Sequence, residues 1–195
     1  MLKKADKEKI DRTIKELWLK DIKRDYSHNH LLKEDTLKNS FYYHLRRKLG
    51  TKFIEERSLR IFTEYREDVF AETGKIADIV IVQLNNSRGD YLKDQIKSTL
   101  AVIELKFGGE NTSDDWYYSD ITKVKEFVRY WNIDCLFYLG FISEKVYSSP
   151  YWLDKRQMNN WAKDKLVVMS ANYNADGVME FHIQSCNGLN RDMDS

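Results

Sequence analysis

Two dense runs of apolar residues constrain the fold of this chain more than any other feature of its sequence. Residues 76–84 read Ile-Ala-Asp-Ile-Val-Ile-Val-Gln-Leu, and residues 100–107 read Leu-Ala-Val-Ile-Glu-Leu-Lys-Phe. Both runs are rich in the β-branched residues that favour strands. The sequence therefore predicts a sheet that contains both segments.

Helices are predicted at the N-terminal end of the chain. Apolar residues at helical spacing predict an amphipathic helix over about residues 5–25, followed by a break near residues 27–30. A second helix has acidic residues, Glu34 and Asp35, in its first turn and Gly50 just past its end. Its apolar face is marked by Leu37, Phe41, Leu45 and Leu49.

The remaining elements follow from alternation, apolar spacing and turn residues. We predict a strand near residues 59–63, a loop or hairpin connection over 85–97, a helix over 115–131, a strand over 133–142 and a helix over 149–164. Segments 166–173 and 178–184 flank Asn-Ala-Asp-Gly, which is a hairpin signal. The order of these elements predicts a mixed α/β fold, with a sheet covered by helices.

Composition indicates a globular protein of one domain. The chain has 195 residues, of which 42% are apolar and 32% charged, and no linker or repeat divides it. Because the chain has 32 Lys and Arg residues and 31 Asp and Glu residues, its net charge is near zero, and local clusters must supply any affinity for phosphate.

The chain has no secretory signal and no apolar stretch long enough to span a membrane, so we expect a cytoplasmic protein. Cys135 and Cys186 are expected to be free thiols.

Charged side chains interrupt the two apolar runs. Asp78 lies in the first run and Glu104 in the second, with Lys106 two residues further on. Strands disfavour Asp, and a buried carboxylate is costly unless it has a partner. Because strand side chains alternate between faces, Glu104 and Lys106 share one face and Leu105 lies on the other. If the two strands pair, Asp78 can stand beside them.

Two carboxylates and an ammonium group at the end of a strand suit metal-assisted chemistry on phosphates. The carboxylates and a backbone carbonyl are oxygen ligands, which Mg²⁺ prefers. Such a metal acidifies a bound water and stabilises charge on a phosphate, while the lysine orients or activates the water. A divalent cation also removes the repulsion between neighbouring carboxylates.

A purely structural explanation of the same residues stays open. Glu-x-Lys is common on the solvated faces of antiparallel sheets, and a buried Asp can be the partner in a structural ion pair. The joint pattern is more specific than either part. Gly-x-x-Ala-Asp precedes an apolar run, and a hairpin-length gap leads to apolar-Glu-Leu-Lys-Phe-Gly and a predicted helix.

Residues 74–82 and 102–108, Gly-Lys-Ile-Ala-Asp-Ile-Val-Ile-Val and Val-Ile-Glu-Leu-Lys-Phe-Gly, resemble the core motifs of the restriction-endonuclease-like, or PD-(D/E)XK, nuclease superfamily. Ala77 stands where the proline that names the motif would be. The resemblance spans about residues 30–142 of a single domain, 1–195. It implies an αβββαβ core with a mixed central sheet flanked by helices, an N-terminal helical extension and a C-terminal hairpin.

The resemblance also implies roles for particular residues. Asp78 and Glu104, with the Leu105 carbonyl, are the implied ligands of Mg²⁺ or Mn²⁺, and Lys106 is the implied water-positioning base. Members often add an acid from the first core helix, and Glu34 matches that place. The implied activity is hydrolysis of phosphodiester bonds in nucleic acid, with DNA favoured over RNA. Because the chain is small, a homodimer could supply specificity.

The sequence permits two interpretations for several other residues, one functional and one structural. Asp120 and Lys123 either face the site, as an Asp-x-x-Lys pair does in related sequences, or form an exposed charge pair. Glu64 and Glu67 either supply a further acid or form solvated ion pairs. A stretch of the second helix could contact a nucleic-acid backbone or be a solvated face: Tyr42, Tyr43, Arg46, Arg47 and Lys48. Three aromatic residues could stack on bases or lie in the core: Trp116, Tyr117 and Tyr118.

Two rival functions belong to other classes. The chain could be a catalytically inactive nuclease-fold module that binds nucleic acid or a protein and keeps Asp78, Glu104 and Lys106 as an ion network. It could also be a structural or immunity-type α/β protein without a role on nucleic acid, which the near-neutral net charge permits. Metal binding and salt-dependent DNA binding separate these possibilities.

Overall fold

The fold is built around a six-stranded sheet. The structure, a computed structural model, describes residues 2–66, 75–85, 91–130, 134–149 and 151–186. The strands follow chain order across the sheet: β1 (Leu59–Tyr65), β2 (Ala77–Leu84), β3 (Ile96–Gly108), β4 (Leu136–Val146), β5 (Leu166–Tyr173) and β6 (Met179–Ser185). The β3–β4 and β4–β5 pairs are parallel and the other pairs are antiparallel. This mixed sheet flanked by helices confirms the predicted α/β class.

The N-terminal segment is helical from residue 4 to residue 27. α1 (Lys4–Glu16) leads into a π-helical turn (Leu17–Ile22) and then into α2 (Lys23–Ser27). α3 (Glu34–Leu49) has the predicted apolar face, and all four residues of that face are buried. Gly50, at a φ of 79°, ends α3 in a backbone conformation that glycine adopts readily. A short helix that was not predicted, α4 (Thr51–Glu56), follows it.

Two apolar clusters cover the two faces of the sheet. One cluster packs α1, the π-helical turn and α3 against side chains such as Ile79, Ile103 and Leu105. The other packs α5 (Asp115–Tyr130) against the opposite face, which includes Val80 and Val102. Over residues 79–82 of β2 and 101–105 of β3, odd and even positions therefore point to different layers, as the alternation of strand side chains requires.

The segment before β5 differs from the prediction. Instead of a helix over 149–164, only a single helical turn, α6 (Lys155–Met158), forms among the described residues there. The Asp154 side chain accepts a hydrogen bond from the Gln157 backbone and starts this turn. Asp164, at a φ of 60°, has a left-handed backbone that a helix cannot include. The segment is mostly irregular because Leu153 and Ala162 pack into the core without a helical repeat.

Other element boundaries move by a few residues. β3 begins at Ile96 after a 3₁₀ turn (Leu92–Gln95), while part of the predicted connection, residues 86–90, lies outside the described residues. β4 is shifted toward the C-terminus of the predicted strand. The hairpin of β5 and β6 is confirmed, with Gly177 at a φ of 73° in its turn. No helix of the described residues is long and apolar enough to cross a membrane.

Candidate functional site

The antiparallel pairing of β2 and β3 brings Asp78 and Glu104 together. Ile79 pairs with Ile103 and Val80 with Val102, so the same register carried one residue further puts Asp78 beside Glu104. Both carboxylates then lie on the face that α5 covers.

Asp78 is held in place by the main chain of the neighbouring strand. The backbone N–H of Leu105 donates to its Oδ2 at 2.8 Å. Burial raises the pKa of Asp78, and the negative charge of Glu34 adds to the rise. The Leu105 hydrogen bond and the positive charges of Lys123 and Lys38 oppose this change. Asp78 is therefore a buried carboxyl whose ionised form needs cations close by.

Glu104 is the most buried acid of the site, at 2% exposure. Its Oε2 accepts a hydrogen bond from Nζ of Lys123 on α5 at 2.7 Å. Its Oε1 is buried and has no hydrogen-bond partner among the described residues. Burial raises the pKa of Glu104 well above its ordinary value of 4.5, and the charge of Asp78 raises it further while Lys123 opposes the rise.

Lys106 lies between acids from two different helices. Its Nζ is 2.9 Å from Oε2 of Glu34 at the start of α3 and 3.3 Å from Oδ2 of Asp120 on α5. Burial alone would lower the pKa of Lys106, but the hydrogen bond to Glu34 and the charge of Asp120 outweigh it and raise the pKa. Lys106 therefore stays protonated near neutral pH and is fixed from two sides.

Lys38 joins the site from α3 and was not predicted from the sequence. Its Nζ is 3.8 Å from Oδ1 of Asp78 and also forms an ion pair with Glu64 of β1. Glu64 has a φ of 52°, a left-handed conformation that is uncommon for residues other than glycine. Lys38 is four residues after Glu34, and the i, i+4 neighbourhood on a helix was the signal that could have found it.

The structure thus brings together the four side chains proposed from the sequence, Asp78, Glu104, Lys106 and Glu34. The Leu105 side chain packs on the opposite face, as the alternation predicted, while its backbone contacts Asp78. Together with Lys38, Glu64, Asp120 and Lys123, these four side chains form what we call the acid–lysine cluster. Its five carboxylates and three lysines carry a formal charge of −2 when all are ionised.

For several neighbouring residues the sequence left two alternatives open, and the structure distinguishes between them for some of these residues. Asp120 and Lys123 face the cluster and are not an exposed pair. Glu64 reaches the cluster through Lys38, and Glu67 lies outside the described residues. Tyr117 is buried in the core, whereas the neighbouring Trp116 and Tyr118 are exposed.

The basic stretch of α3 and the nearby His44 form contacts outside the acid–lysine cluster. Arg46 donates to the hydroxyl of Tyr42, and Lys48 pairs with Asp21. His44 is buried and forms a 2.8 Å contact with Asp25. This histidine therefore joins the N-terminal helices and α3 and does not contribute to the acid–lysine cluster.

The donor set of the cluster can accept a hard divalent cation. The described residues contain no group of three or more His, Cys, Asp and Glu side chains arranged to hold a metal. Mg²⁺ needs fewer, because it binds through one or two carboxylates and keeps several waters. Asp78 and Glu104 supply two carboxylates, and Oε1 of Glu104 is a buried acceptor without a donor. The residues present therefore fit such an ion.

Comparison of the chain with known proteins gave no relative from which a role could be transferred. No protein-family model, no curated protein and no solved structure matches it.

Proposed function

We propose that this chain is a metal-dependent nuclease with a restriction-endonuclease-like fold. It would hydrolyse phosphodiester bonds in nucleic acid, with DNA the favoured substrate, in the cytoplasm. The proposal is supported by the order α3, β1, β2, β3, α5, β4, which is the order expected for the core of that superfamily. It is supported also by the positions of Asp78, Glu104 and Lys106 on the paired strands.

The single observation that carries the proposal is the buried oxygen of Glu104. Oε1 has no hydrogen-bond partner within the described part of the chain, and the charge of Asp78 stands close enough to raise the pKa of Glu104. A buried acceptor without a donor costs free energy, and a second carboxylate beside it increases that cost. A purely structural ion network would be expected to satisfy both oxygens, whereas a cation site leaves one available.

Each residue of the cluster then has a chemical role. Asp78, Glu104 and the Leu105 carbonyl would hold Mg²⁺ or Mn²⁺. When bound, such an ion supplies Lewis acidity and a water of lowered pKa. Lys106, protonated and held by Glu34 and Asp120, would donate hydrogen bonds to the scissile phosphate and orient the attacking water.

Lys106 is better suited to positioning than to proton abstraction. Because its pKa is raised, Lys106 stays protonated at neutral pH. A protonated amine cannot accept a proton, so Lys106 is a poor general base there. The role of Lys106 is therefore narrower than the water-positioning base that the superfamily resemblance implies. The positive charge of Lys106 also offsets part of the charge on a bound phosphate.

The test is cleavage by the purified protein in Mg²⁺ and in Mn²⁺, with EDTA as the metal-free reference. Single- and double-stranded DNA and RNA are the substrates. Asp78→Asn should abolish cleavage and weaken Mn²⁺ binding measured by calorimetry, while Asp94→Asn, which changes an exposed aspartate, should cleave like the wild type. Absence of cleavage of all four substrates by the wild type would defeat the proposal.

A second candidate function follows from the contacts of the lysines. Lys38, Lys106 and Lys123 each pair with acids of the cluster, so their charges already offset most of the carboxylates. This favours a catalytically inactive module that keeps the cluster as an ion network and binds nucleic acid or a protein partner. Nucleic-acid binding without Mn²⁺ binding or cleavage would select that function.

A further inference from the structure

Trp116 lies on the same ridge of α5 as two residues of the acid–lysine cluster. Asp120 is four residues after Trp116 and Lys123 seven residues after it, and positions i, i+4 and i+7 line one face of a helix. Asp120 contacts Lys106, and Lys123 contacts Glu104. The ridge therefore runs from the centre of the cluster to Trp116, which is about 6 Å from Asp120 along the helix axis.

The Trp116 side chain is available to a ligand. It is 59% exposed, although Trp is among the most hydrophobic side chains. Its indole N–H donates no hydrogen bond to the residues that the structure describes, and its ring contacts no other ring among them. The backbone N–H of Trp116 donates to the Ser113 carbonyl at 3.2 Å in the first turn of α5, which fixes the position of the residue.

An exposed apolar residue also lies just before α3, the helix that carries Glu34. Leu32 lies two residues before Glu34 and is exposed, and its backbone N–H donates to Oγ1 of Thr36 at 2.8 Å. Lys106 contacts Glu34 and Asp120, and an exposed apolar residue precedes each of these acids by one helical turn or less. A surface that recognised phosphates alone would need cations at these places instead.

We propose that Trp116 is a base-stacking residue, and that the nucleic acid next to the acid–lysine cluster is unpaired there. This inference deepens the proposed function and rests on it. Aromatic faces bind unpaired bases without sequence preference, whereas bases inside a duplex expose only their edges. One strand advances about 3.4 Å per nucleotide, so the span from Asp120 to Trp116 corresponds to one or two nucleotides from the cluster.

The net negative charge of the acid–lysine cluster determines the conditions under which nucleic-acid binding should be measured. With all groups ionised, the acid–lysine cluster is negative and repels phosphates, and one divalent cation neutralises it. Binding should therefore be measured with a divalent cation present. Ca²⁺ takes the same oxygen ligands as Mg²⁺ and serves as the cation of the binding assay.

The experiment compares the affinity of a labelled single-stranded DNA with that of its duplex in Ca²⁺. Trp116→Ala should weaken single-strand binding by about 5- to 100-fold and duplex binding much less, because each base stack contributes on this scale. Trp116→Phe, which keeps an aromatic face, should recover most of the affinity. Tyr130→Ala is the matched control, since Tyr130 is an exposed aromatic residue of α5, 54% exposed, about 21 Å from Trp116 along the axis.

A second probe reports stacking directly. A 2-aminopurine base in the single strand should lose fluorescence on binding to the wild type and to Tyr130→Ala, but not on binding to Trp116→Ala. Equal affinities and equal quenching for wild type and Trp116→Ala would overturn the inference, as would a wild type that binds no single strand. Cleavage of DNA in Mg²⁺ is measured separately, so loss of the stacking role and loss of the nuclease function are distinguishable.

Discussion

The backbone N–H of Leu105 donates a 2.8 Å hydrogen bond to Oδ2 of Asp78. This bond fixes a carboxylate of β2 against the main chain of β3, between Glu104 and Lys106. The pairing of two strands thus brings Asp78 of β2 to Glu104 and Lys106, which are distant from it in the sequence. Because these charged side chains are buried or partly buried and lie close together, substitutions in the cluster are expected to affect both cleavage and the free energy of unfolding.

We expect Lys106→Gln to lower cleavage by about 100- to 1,000-fold, the range for removal of one group that stabilises charge in the transition state. Glutamine keeps a hydrogen-bond donor for Glu34 and Asp120 but removes the positive charge. Affinity for Mn²⁺ should change much less, because Lys106 is not a proposed ligand. Lys93→Gln, at an exposed lysine, is the control for kinetics and calorimetry. Cleavage at the wild-type rate by Lys106→Gln would remove Lys106 from the mechanism.

Lys123→Met should destabilise the metal-free protein. The change leaves Glu104, at 2% exposure, without its 2.7 Å partner. Removal of one member of a buried ion pair costs about 3 kcal/mol or more, and protonation of Glu104 limits the loss here. Urea unfolding in EDTA measures the free energy of unfolding. Lys125→Met, at an exposed lysine of the same helix, should stay within about 0.5 kcal/mol of the wild type.

The contribution of Glu104 to stability should depend on pH with a definite sign. Its pKa is raised in the folded protein, chiefly by burial, from an ordinary value of 4.5. Between the unfolded and folded pKa values the native state binds more protons, so stability falls as the pH rises through this window. In EDTA, wild type should therefore lose stability relative to Glu104→Gln as the pH rises above 4.5.

The matched control for that titration is Glu110→Gln, which changes an exposed glutamate. Its free energy of unfolding should run parallel to that of the wild type over about pH 4 to 8. A constant difference between wild type and Glu104→Gln across this range would contradict the raised pKa.

Gly140→Ala should destabilise the fold through contacts behind the cluster. A Cβ at Gly140 would lie 2.6 Å from Cδ2 of Leu105 and 3.2 Å from Cζ3 of Trp18. Overpacking of this kind in a buried layer costs about 1–3 kcal/mol. Gly109→Ala is the control, because its Cβ would meet Oε2 of Glu144 at an ordinary 3.6 Å. Equal melting temperatures for the two variants would contradict the tight packing of Trp18 on β4.

The sequence by itself determined the elements whose signals are local. The apolar spacing of α3 and its end at Gly50 follow from helix periodicity and from the conformational freedom of glycine. The strands β2 and β3 follow from their β-branched runs, and the turn between β5 and β6 follows from its Asn-Ala-Asp-Gly sequence. The alternation of side chains along β3 also set which face Glu104 and Lys106 share.

Only the tertiary structure decided which charges meet. The contacts of Lys38 with Asp78 and of Lys123 with Glu104 depend on how α3 and α5 pack on the sheet, and helix spacing alone does not choose these partners. The predicted helix over 149–164 is wrong for the same reason: burial against the sheet, and not local propensity, sets the path of that segment. Local sequence patterns indicate whether a segment favours a helix, a strand or a turn. Long-range ion pairs and core packing arise only when distant elements come together.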